Sequence, residues 1–327
     1  MEYTKLGRTG LYVSRLCLGT MNFGCATSGK DAHYIMDKAL DIGINFFDTA
    51  DNYGFMTNDE GATERVIGSW FALGGGRRER TVLATKVHED MCDPLDGPNT
   101  KGGLSIYKIR RHFEGSLKRL QTDHVEIYYM HHVDRRVPWA ETWDAFQNLF
   151  DRGLIDYVGA SNFPAWQLAL AQCEAGARHF MGISVAQERY NLCTRHTELE
   201  VQPACAALGI GFVAYAPLSG GVLSGKAANG EETLRKKRHS GLYEKYKNQT
   251  AAFAKLCADA GITCDKAALA WILQNPGVAA PVIGVRTPEQ LDECVKSLDI
   301  KLSPDFTAEL EKIFPGFGGQ APEAYAW

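Results

Sequence analysis

The sequence lacks the features that mark nucleic-acid-binding, membrane-spanning or secreted proteins. Its 35 Lys and Arg are balanced by 39 Asp and Glu, which gives a formal net charge of −4 over 327 residues. Without a basic excess, we do not expect binding to nucleic acid through its phosphates. The longest apolar runs, such as AALAWILQ at 267–274, are too short to cross a bilayer, and the amino-terminal MEYTKLGRTGLYVSRL has no signal-peptide apolar core. We therefore expect a cytoplasmic protein whose partners are neither nucleic acids nor membranes.

Paired cysteines are also missing. The nine cysteines form no C-x-x-C pair and their number is odd, so we expect free thiols in a reducing compartment. Most of them are expected to be small core residues. Since none has a convincing base partner in the sequence, we expect no catalytic cysteine.

What the sequence does contain is a regular alternation of strand-like and helix-like segments. Eight short β-branched or aromatic runs are separated by stretches of helical periodicity. The predicted strands are 14–19, 44–48, 81–86, 125–131, 155–161, 182–187, 211–216 and 280–284. The predicted helices are 30–42, 61–72, 104–120, 138–152, 164–176, 197–208, 263–274, 288–298 and 304–313. Ahead of them, YTKLGRTGLYVS predicts a β-hairpin with Gly10 in its turn region.

Eight strands that each precede a helix are typical of two architectures, an eight-stranded barrel and an open doubly wound sheet. An open nucleotide-binding sheet would show G-x-G-x-x-G after its first strand, whereas this chain has LGTMNFGCATSGK there. The triple glycine at 74–76 joins a helix to a strand and is not placed to hold a phosphate. We therefore predict one domain over 1–327, a (β/α)8 TIM barrel with an amino-terminal hairpin, a carboxy-terminal helix and a tail.

One insertion, 217–249, stands out after the seventh predicted strand. It contains PLSGGVLSGK and then the basic run LRKKRHS. A loop of this length in a compact domain is usually functional or mobile. The basic run itself is interpreted as a solvated loop face.

Polar residues end one predicted strand after another. In an α/β barrel, catalytic groups lie at the carboxyl ends of the strands, so this succession indicates an active site. The residues are Asp48 with Tyr53 in the following loop, Lys86, His131, Ser161 with Asn162, Gln187 and Tyr215.

The first four of these residues form a coherent proton-transfer group. A lysine ammonium about 4 Å from a phenolate attracts it by roughly 4 kcal/mol, equivalent to roughly 3 pKa units before desolvation is subtracted. We therefore expect Lys86 to lower the pKa of Tyr53, Asp48 to hold Lys86 charged and in place, and His131 to hydrogen-bond the substrate oxygen. Such a group protonates a carbonyl oxygen while hydride reaches the carbon, and hydride must come from a nicotinamide or flavin cofactor.

A metal centre is the alternative for the histidines. His131 and His132 are adjacent in a predicted strand, so we expect them to point to opposite faces and only one to join the site. Residues 88–90 (HED) could be proposed as further ligands. Helical H-E-x-x-H spacing is absent, however, and the charge of Lys86 would repel a cation, so we expect no metal.

Together these residues resemble the aldo-keto reductase superfamily, NAD(P)H-dependent oxidoreductases on a (β/α)8 barrel. The likeness runs from YTKLGRTGLYVSRLCLGTMNFG to the last helix, and its specific motifs are FFDTADNYG, LATK and YYMHHVD. The resemblance implies that Tyr53 is the general acid-base residue and that Lys86 modulates its pKa. It also implies that Asp48 is the partner of Lys86 and that His131 orients the carbonyl.

The resemblance further implies the residues that bind NADPH. The GASNF segment and the glutamine of VAQERYN would hold the nicotinamide carboxamide, Tyr215 would stack on the ring, and the backbone after it would wrap the pyrophosphate. IGVRTPEQLDEC corresponds to the adenosine end, where Arg286 suits a ribose 2′-phosphate and favours NADPH over NADH; a surface arginine is the alternative. Cys294 stands where many members have Asn, and cysteine is a poor hydrogen-bonding partner for adenine. The full set of expected cofactor contacts is Gly19, Thr20, Met21, Ser161, Asn162, Gln187, Tyr215, Ala216, Pro217, Leu218, Ser219, Gly221, Ser224, Lys226, Ile283, Gly284, Arg286, Gln290, Glu293 and Cys294.

The substrate is expected to be a small carbonyl compound. In the family, selectivity comes from loops that correspond here to 22–30, 54–60, 88–103 and the tail FPGFGGQAPEAYAW, which is apolar enough to cover the barrel mouth or to pack against another chain in a homo-oligomer. The sequence is similar to a bacterial branch that includes sugar reductases. The leading hypothesis is NADPH-dependent reduction of an aldehyde, ketone or sugar derivative. The alternatives are a nucleotide-hexose 2,3-enoyl reductase and a slow-turnover NADPH-binding regulatory subunit of the kind associated with channels.

Overall fold

The amino-terminal segment is a β-hairpin, as predicted. The computed structural model describes residues 1–99, 101–226 and 240–321. Tyr3–Lys5 (β1) pairs antiparallel with Tyr12–Ser14 (β2). Leu6 and Val13 are fully buried in one cluster with residues of the barrel interior. The hairpin therefore closes the amino end of the barrel and leaves the carboxyl end for a site.

The hairpin turn lies directly against the barrel backbone. Gly7 has a φ of +61°, and a Cβ on it would lie 2.5 Å from the carbonyl oxygen of Gly209. The next amide, that of Arg8, donates to the same oxygen at 2.9 Å. Only glycine is compatible with both this backbone conformation and this close approach.

The body of the protein is a closed barrel of eight parallel strands, which confirms the predicted fold class. The strands are Cys17–Gly19 (β3), Phe46–Asp48 (β4), Val82–Val87 (β5), Val125–Met130 (β6), Ile155–Ser161 (β7), Ile183–Arg189 (β8), Gly211–Tyr215 (β9) and Val278–Ile283 (β10). They follow one another around the barrel in chain order, and β10 closes it by pairing with β3. Because all the strands run the same way, their carboxyl ends meet in one ring.

Helices connect the strands on the outside of the barrel. They are Gly29–Ile42 (α1), Ala62–Phe71 (α2), Ile106–Leu120 (α3), Trp139–Asp151 (α4), Ala165–Ala177 (α5), Val201–Leu208 (α6), Ser240–Lys245 (α7), Lys247–Asp259 (α8), Cys264–Gln274 (α9), Pro288–Val295 (α10) and Pro304–Ile313 (α11). No helix in the described ranges is long and apolar enough to cross a membrane.

The structure differs from the sequence-based expectation chiefly in the predicted insertion 217–249. Ser219–Ser224 forms a 3-10 turn, helix α7 lies near the end of this stretch, and helix α8 begins in its last residues and continues to Asp259. Helix α8 was not among the predicted helices, and Phe253 anchors it by edge contact with Phe314 at 5.8 Å. The basic run lies outside the described residues except for its last residue, and the tail is described only to residue 321.

Two other helices are shorter than predicted, and the expectation for cysteine is met only in part. The predicted helix 197–208 divides into a 3-10 turn, His196–Glu198, and α6, and the predicted helix 288–298 passes into another 3-10 turn after Val295. All nine cysteines are free. Four of them are buried, namely Cys17, Cys205, Cys257 and Cys264.

The barrel interior just below the carboxyl-end ring is filled by the ring of Tyr129. Tyr129 lies on β6 opposite Gly159 of β7, and both its ring and the backbone around it are buried. A Cβ on Gly159 would lie 2.3 Å from the Tyr129 ring. Glycine at 159 therefore makes the room that this aromatic residue needs.

We predict that Gly159→Ala destabilises the protein by about 1–3 kcal/mol, because the added methyl overpacks the barrel interior. The measurement is the free energy of unfolding in urea. Gly176→Ala is the matched control, since its Cβ would meet nothing within 4 Å at a helical position, and it should stabilise by about 0.5–1 kcal/mol. Equal stability of Gly159→Ala and the wild type would refute this account of the packing.

Candidate active site

Four of the predicted site residues meet at the carboxyl end of the barrel. Asp48 is the last residue of β4, Lys86 lies near the end of β5, and His131 directly follows β6. Tyr53 lies in the loop after β4, with its ring centroid 6.0 Å from that of His131. The register of parallel strands thus brings together side chains that are far apart in the sequence.

The ammonium group of Lys86 is the centre of this group. It donates to Asp48 Oδ2 at 2.6 Å, to the backbone oxygen of Thr49 at 2.7 Å and to Tyr53 Oη at 3.2 Å. An ammonium carries three hydrogens, so these contacts use its whole donor capacity and fix its orientation. Since Tyr53 accepts a hydrogen from Lys86, its own hydroxyl hydrogen is left to donate elsewhere.

The Asp48 carboxylate is held from two sides. Its second oxygen, Oδ1, accepts a hydrogen bond from Gln187 Nε2 of β8 at 2.8 Å. The backbone oxygen of Asp48 accepts two more hydrogen bonds from Thr20, from its amide at 3.0 Å and from its hydroxyl at 2.9 Å. Gln187 and Thr20 were both expected to contact a cofactor, and the structure places each side chain in hydrogen-bond contact with Asp48.

The pKa of Tyr53 is raised, which corrects the sequence-based expectation that Lys86 would lower it. Burial has the largest effect and raises the pKa of Tyr53, the charge of Lys86 lowers it, and the charge of Asp48 raises it again. The sequence argument treated burial as a smaller effect than the ammonium group and did not count the effect of Asp48 on Tyr53, whereas burial and this carboxylate together outweigh the ammonium group. Without other ligands, Tyr53 is therefore a protonated phenol at neutral pH.

His131 is a neutral imidazole. Burial lowers its pKa well below the ordinary value of 6.5, and the positive charge of Lys86 lowers it further. Its buried Nδ1 has no hydrogen-bond partner among the described side chains and backbone groups. A neutral ring can donate one hydrogen bond and accept one, so His131 is equipped to hydrogen-bond an uncharged carbonyl oxygen.

The two adjacent histidines do not point apart. The rings of His131 and His132 are stacked with centroids 5.2 Å apart, because β6 ends at Met130 and the strand alternation ends with it. The expectation that they lie on opposite faces is therefore wrong. His132 also lies beside His88, and both imidazoles contact the carboxylate of Glu89.

The ends of β7, β8 and β9 are tied together next to His131. Asn162, with a φ of +61°, donates from Nδ2 to the backbone oxygen of His131 at 3.0 Å and accepts from the Tyr215 hydroxyl at 2.6 Å. Ser161 donates to the backbone oxygen of Gln187 at 2.8 Å. The residues expected at the nicotinamide end are thus neighbours of one another and of the proton-transfer group.

The segment expected to wrap the pyrophosphate has an unusual backbone. Ala216, Ser219, Gly220 and Gly221 all have positive φ angles, and Ser219–Ser224 is a 3-10 turn. A residue near the helical conformation followed by a left-handed one, as at Leu218 and Ser219, is the backbone arrangement found in concave turns that bind anions. Within the turn, the Ser224 hydroxyl donates to the Gly221 oxygen at 2.6 Å. Pro217 and Leu218 lie between these residues, and Lys226 lies exposed beyond them.

The residues expected at the adenosine end surround the start of α10. The Arg286 amide donates to Gln290 Oε1 at 2.9 Å, and the Arg286 oxygen accepts from the Thr27 hydroxyl. No carboxylate in the described ranges lies within ion-pair distance of the Arg286 guanidinium. Ile283 is buried at the end of β10, and the Gly284 oxygen accepts from Asn22.

Three other expected contacts are already occupied by the protein or lie at its surface. Glu293 binds Lys266 at 2.6 Å and Lys296 at 2.5 Å, and hydrogen bonds from these two lysines hold its pKa at about 2. Burial raises the pKa of the Cys294 thiol to about 12, so it is an uncharged, partly buried group. Met21 is partly exposed after β3, where Gly19 allows the close approach of Val282.

A buried carboxyl beside the site was missed in the sequence. Glu188 of β8 is 6% exposed and accepts a hydrogen bond from the Phe163 amide at 2.8 Å. Burial raises its pKa from 4.5 to about 8, against the opposing effect of hydrogen bonds from the Phe163 and Asn162 amides. The sequence feature that could have indicated it is the polar run QER, which begins at the last residue of a predicted strand. Because side chains alternate along a strand, Glu188 faces away from the side on which Gln187 lies.

Comparisons with known proteins agree with the barrel fold. A model described as "Aldo/keto reductase family" matches residues 15–314. The chain is 55% identical over 327 residues, all of both chains, to "Uncharacterized oxidoreductase YrpG" of Bacillus subtilis (strain 168). It is 32% identical to "Protein tas" of Escherichia coli (strain K12), over 98% of this chain and 100% of that one. It is also 32% identical, over 96% of both chains, to "Probable voltage-gated potassium channel subunit beta" of Oryza sativa subsp. japonica.

We predict that Glu188→Gln changes how stability depends on pH. Because the folded state favours the protonated carboxyl, the wild type should lose stability as pH rises from the ordinary pKa of 4.5 towards about 8, and the neutral amide should remove this loss. Thermal unfolding at a series of pH values measures it. Glu174→Gln, at an exposed position of α5, should follow the wild-type curve. Parallel curves for Glu188→Gln and the wild type would contradict the prediction.

Proposed function

Because the chain belongs to the aldo/keto reductase family, a family of oxidoreductases, we propose that it is an NADPH-dependent reductase of a small carbonyl compound. The substrate is an aldehyde, a ketone or a sugar derivative, and Tyr53 donates the proton to its oxygen. The observation that carries the proposal is the hydrogen bond from Lys86 to Tyr53 Oη, made by an ammonium whose other two hydrogens are committed to Asp48 and Thr49.

The proton donor has the properties that the reaction needs. Tyr53 is protonated at neutral pH because burial raises its pKa, and its own hydrogen is not used by Lys86. As negative charge grows on a carbonyl oxygen, the proton can pass from Tyr53 to that oxygen. The phenolate that remains lies 3.2 Å from an ammonium group, which stabilises it without any rearrangement.

His131 is placed to hydrogen-bond the same carbonyl oxygen during proton transfer. As a neutral imidazole beside the Tyr53 ring, it can donate one hydrogen bond to the carbonyl oxygen without competing as an acid. Two donors that converge on one oxygen fix the orientation of the carbonyl. The pair therefore both positions the substrate and stabilises the charge that develops on it.

The residues present fit a dinucleotide. When bound, NADPH supplies the hydride that no side chain can deliver. The left-handed backbone at 216 and 219–221 suits a pyrophosphate, and Ser161, Asn162 and Tyr215 are hydrogen-bonded in a chain that reaches His131, where a nicotinamide ring would be held. Arg286 would take the ribose 2′-phosphate, since no carboxylate in the described part of the chain neutralises it.

A slow-turnover regulatory subunit that binds NADPH is the second candidate. It is favoured by one observation, the name of the rice relative as a probable channel β subunit. The intact group of Asp48, Tyr53, Lys86 and His131 favours catalysis instead, because the Lys86 ammonium in contact with Tyr53 Oη would stabilise the phenolate left by proton transfer. Conjugate reduction of a nucleotide-hexose enone remains a variant of the catalytic proposal that differs in the substrate.

We predict that the wild type oxidises NADPH in the presence of some aldehydes, ketones or nucleotide-sugars and that Tyr53→Phe lowers this rate by about 10²–10⁴-fold, because the general acid is lost. NADPH absorbance gives the rate, and quenching of protein fluorescence gives NADPH binding, which should persist. Tyr34→Phe, at an exposed position of α1, is the control and should leave the rate unchanged. A full rate in Tyr53→Phe would remove Tyr53 as the donor. Tight NADPH binding without oxidation by any compound would favour the regulatory subunit.

We predict that Arg286→Ala weakens NADPH binding by about 10–100-fold and leaves NADH binding unchanged, because only NADPH carries the 2′-phosphate that a charge-assisted hydrogen bond would hold. Titration of both cofactors against protein fluorescence measures it. Arg110→Ala removes an exposed arginine of α3 and should alter neither affinity. If both cofactors weaken equally, or neither does, Arg286 does not read the 2′-phosphate.

A further inference from the structure

A second buried group of ionisable side chains lies beside the proton-transfer group. His112 of α3 places Nδ1 3.1 Å from Asp51 Oδ2 and Nε2 3.1 Å from Asp96 Oδ2. The exposed fractions are 0% for Asp51 and 5% for both Asp96 and His112, so solvent does not weaken these contacts. We call Asp51, His112 and Asp96 the His112 clamp.

One end of the clamp belongs to the loop that carries the proton donor. Asp51 lies between Asp48 and Tyr53, and its amide donates to the Lys86 oxygen at 3.2 Å. The Tyr53 amide donates to the Ala50 oxygen, one residue away, also at 3.2 Å. A displacement of Asp51 would therefore be transmitted along a short, hydrogen-bonded turn to the Tyr53 ring.

The other end belongs to the loop that follows β5. Asp96 lies in the 3-10 segment Pro94–Asn99, and we call residues 88–99 the mouth loop. This loop begins beside the active site, since the His88 ring neighbours that of His132, which in turn stacks on His131. The clamp thus joins the loop of Tyr53 to a loop at the barrel mouth.

Both oxygens of the Asp96 carboxylate have a hydrogen-bond partner. His112 and Arg111 both donate to Asp96, and these hydrogen bonds lower its pKa although burial raises it. Lys108 of α3, whose pKa is lowered by burial, adds positive charge near Asp51 and Asp96. His112 therefore contacts both carboxylates, and Arg111 holds Asp96 as well.

We propose that His112 is a positioning residue for the reaction, which fixes the Tyr53 loop through Asp51 and the mouth loop through Asp96. The kinetic consequences of this proposal rest on the proposed function, whereas the contacts of His112 with Asp51 and Asp96 do not. The Asp96 end orders the surface that a carbonyl compound must contact on entering the barrel. The Asp51 end sets the position from which Tyr53 delivers its proton. A single imidazole thus couples substrate binding to the placement of the acid.

The two ends make separable kinetic predictions. Asp96→Asn should raise KM for the carbonyl compound by about 3–10-fold with little change in kcat, because only binding depends on the mouth loop. Asp51→Asn should lower kcat by about 3–10-fold with little change in KM, because the proton donor is displaced. His112→Gln should do both, and NADPH affinity should not change in any of the three. Asp93→Asn, at a mouth-loop carboxylate 3.8 Å from Arg111 and outside the clamp, is the matched control.

A purely structural cluster would behave differently. It would lower thermal stability in all three variants, and kcat and KM would change without the split between Asp96→Asn and Asp51→Asn. That outcome would overturn the proposal. Values for Asp96→Asn and Asp51→Asn equal to those of Asp93→Asn would also overturn it. If His112→Gln does not fold, the split between the two aspartate variants still decides the question.

A measurement that needs no turnover separates this proposal from the proposed function. Trypsin cleavage after Lys101, an exposed residue just beyond the mouth loop, reports whether that loop is held. Cleavage should be several-fold faster in Asp96→Asn than in the wild type or Asp93→Asn. If Asp96→Asn is cleaved faster but the wild type oxidises no NADPH with any compound, the clamp is supported and the proposed reaction is refuted. Equal cleavage in all three proteins would refute the clamp even if the reaction is established.

Discussion

The site depends on a single buried ammonium group. Lys86 is fully buried, and an unpaired charge there would cost several kcal/mol, a large share of the stability of a folded domain. Its three hydrogen bonds remove that cost only if Asp48, the Thr49 carbonyl and Tyr53 all lie within reach. The register of β4 against β5 satisfies the first two conditions, since both acceptors lie at the end of β4. The third fixes the loop after β4, so the requirement to satisfy one ammonium places the phenol.

The same arrangement explains how one tyrosine can serve as donor and then be stabilised as its anion. In the resting site the negative charge of Asp48 opposes the effect of Lys86, and burial, which has the largest effect, raises the pKa of Tyr53 and keeps the proton on it. Gln187 donates to the oxygen of Asp48 that Lys86 does not use, which holds the carboxylate still. When a substrate oxygen draws the proton away, the phenolate is already in contact with the ammonium. No charge has to move into the site, and reorganisation is small.

The barrel fold and the meeting of Asp48, Tyr53, Lys86 and His131 could be predicted from the sequence because both follow from local patterns. Strand-like runs that end in Asp48, Lys86 and His131 need only the rule that parallel strands share a carboxyl end. The direction of the Tyr53 pKa shift could not be predicted, since it depends on burial that only the packed structure defines. The stacking of His131 on His132 was missed for a smaller reason, the termination of β6 one residue earlier than expected.

Long-range polar contacts were beyond the sequence for a different reason. His112 is separated from Asp51 by 61 residues and from Asp96 by 16, and nothing in the helical pattern of α3 distinguishes it from an ordinary interior residue. Such contacts link loops, whereas the proton-transfer group is built largely on strand ends. Residues at strand ends can be recognised from short sequence motifs. The contacts between side chains of the mouth loops form only when the barrel closes. This is why the sequence indicates how a carbonyl would be protonated before it indicates which molecule carries it. The proposed proton donor follows a strand end, whereas the loops at the mouth are joined by contacts between residues far apart in the sequence.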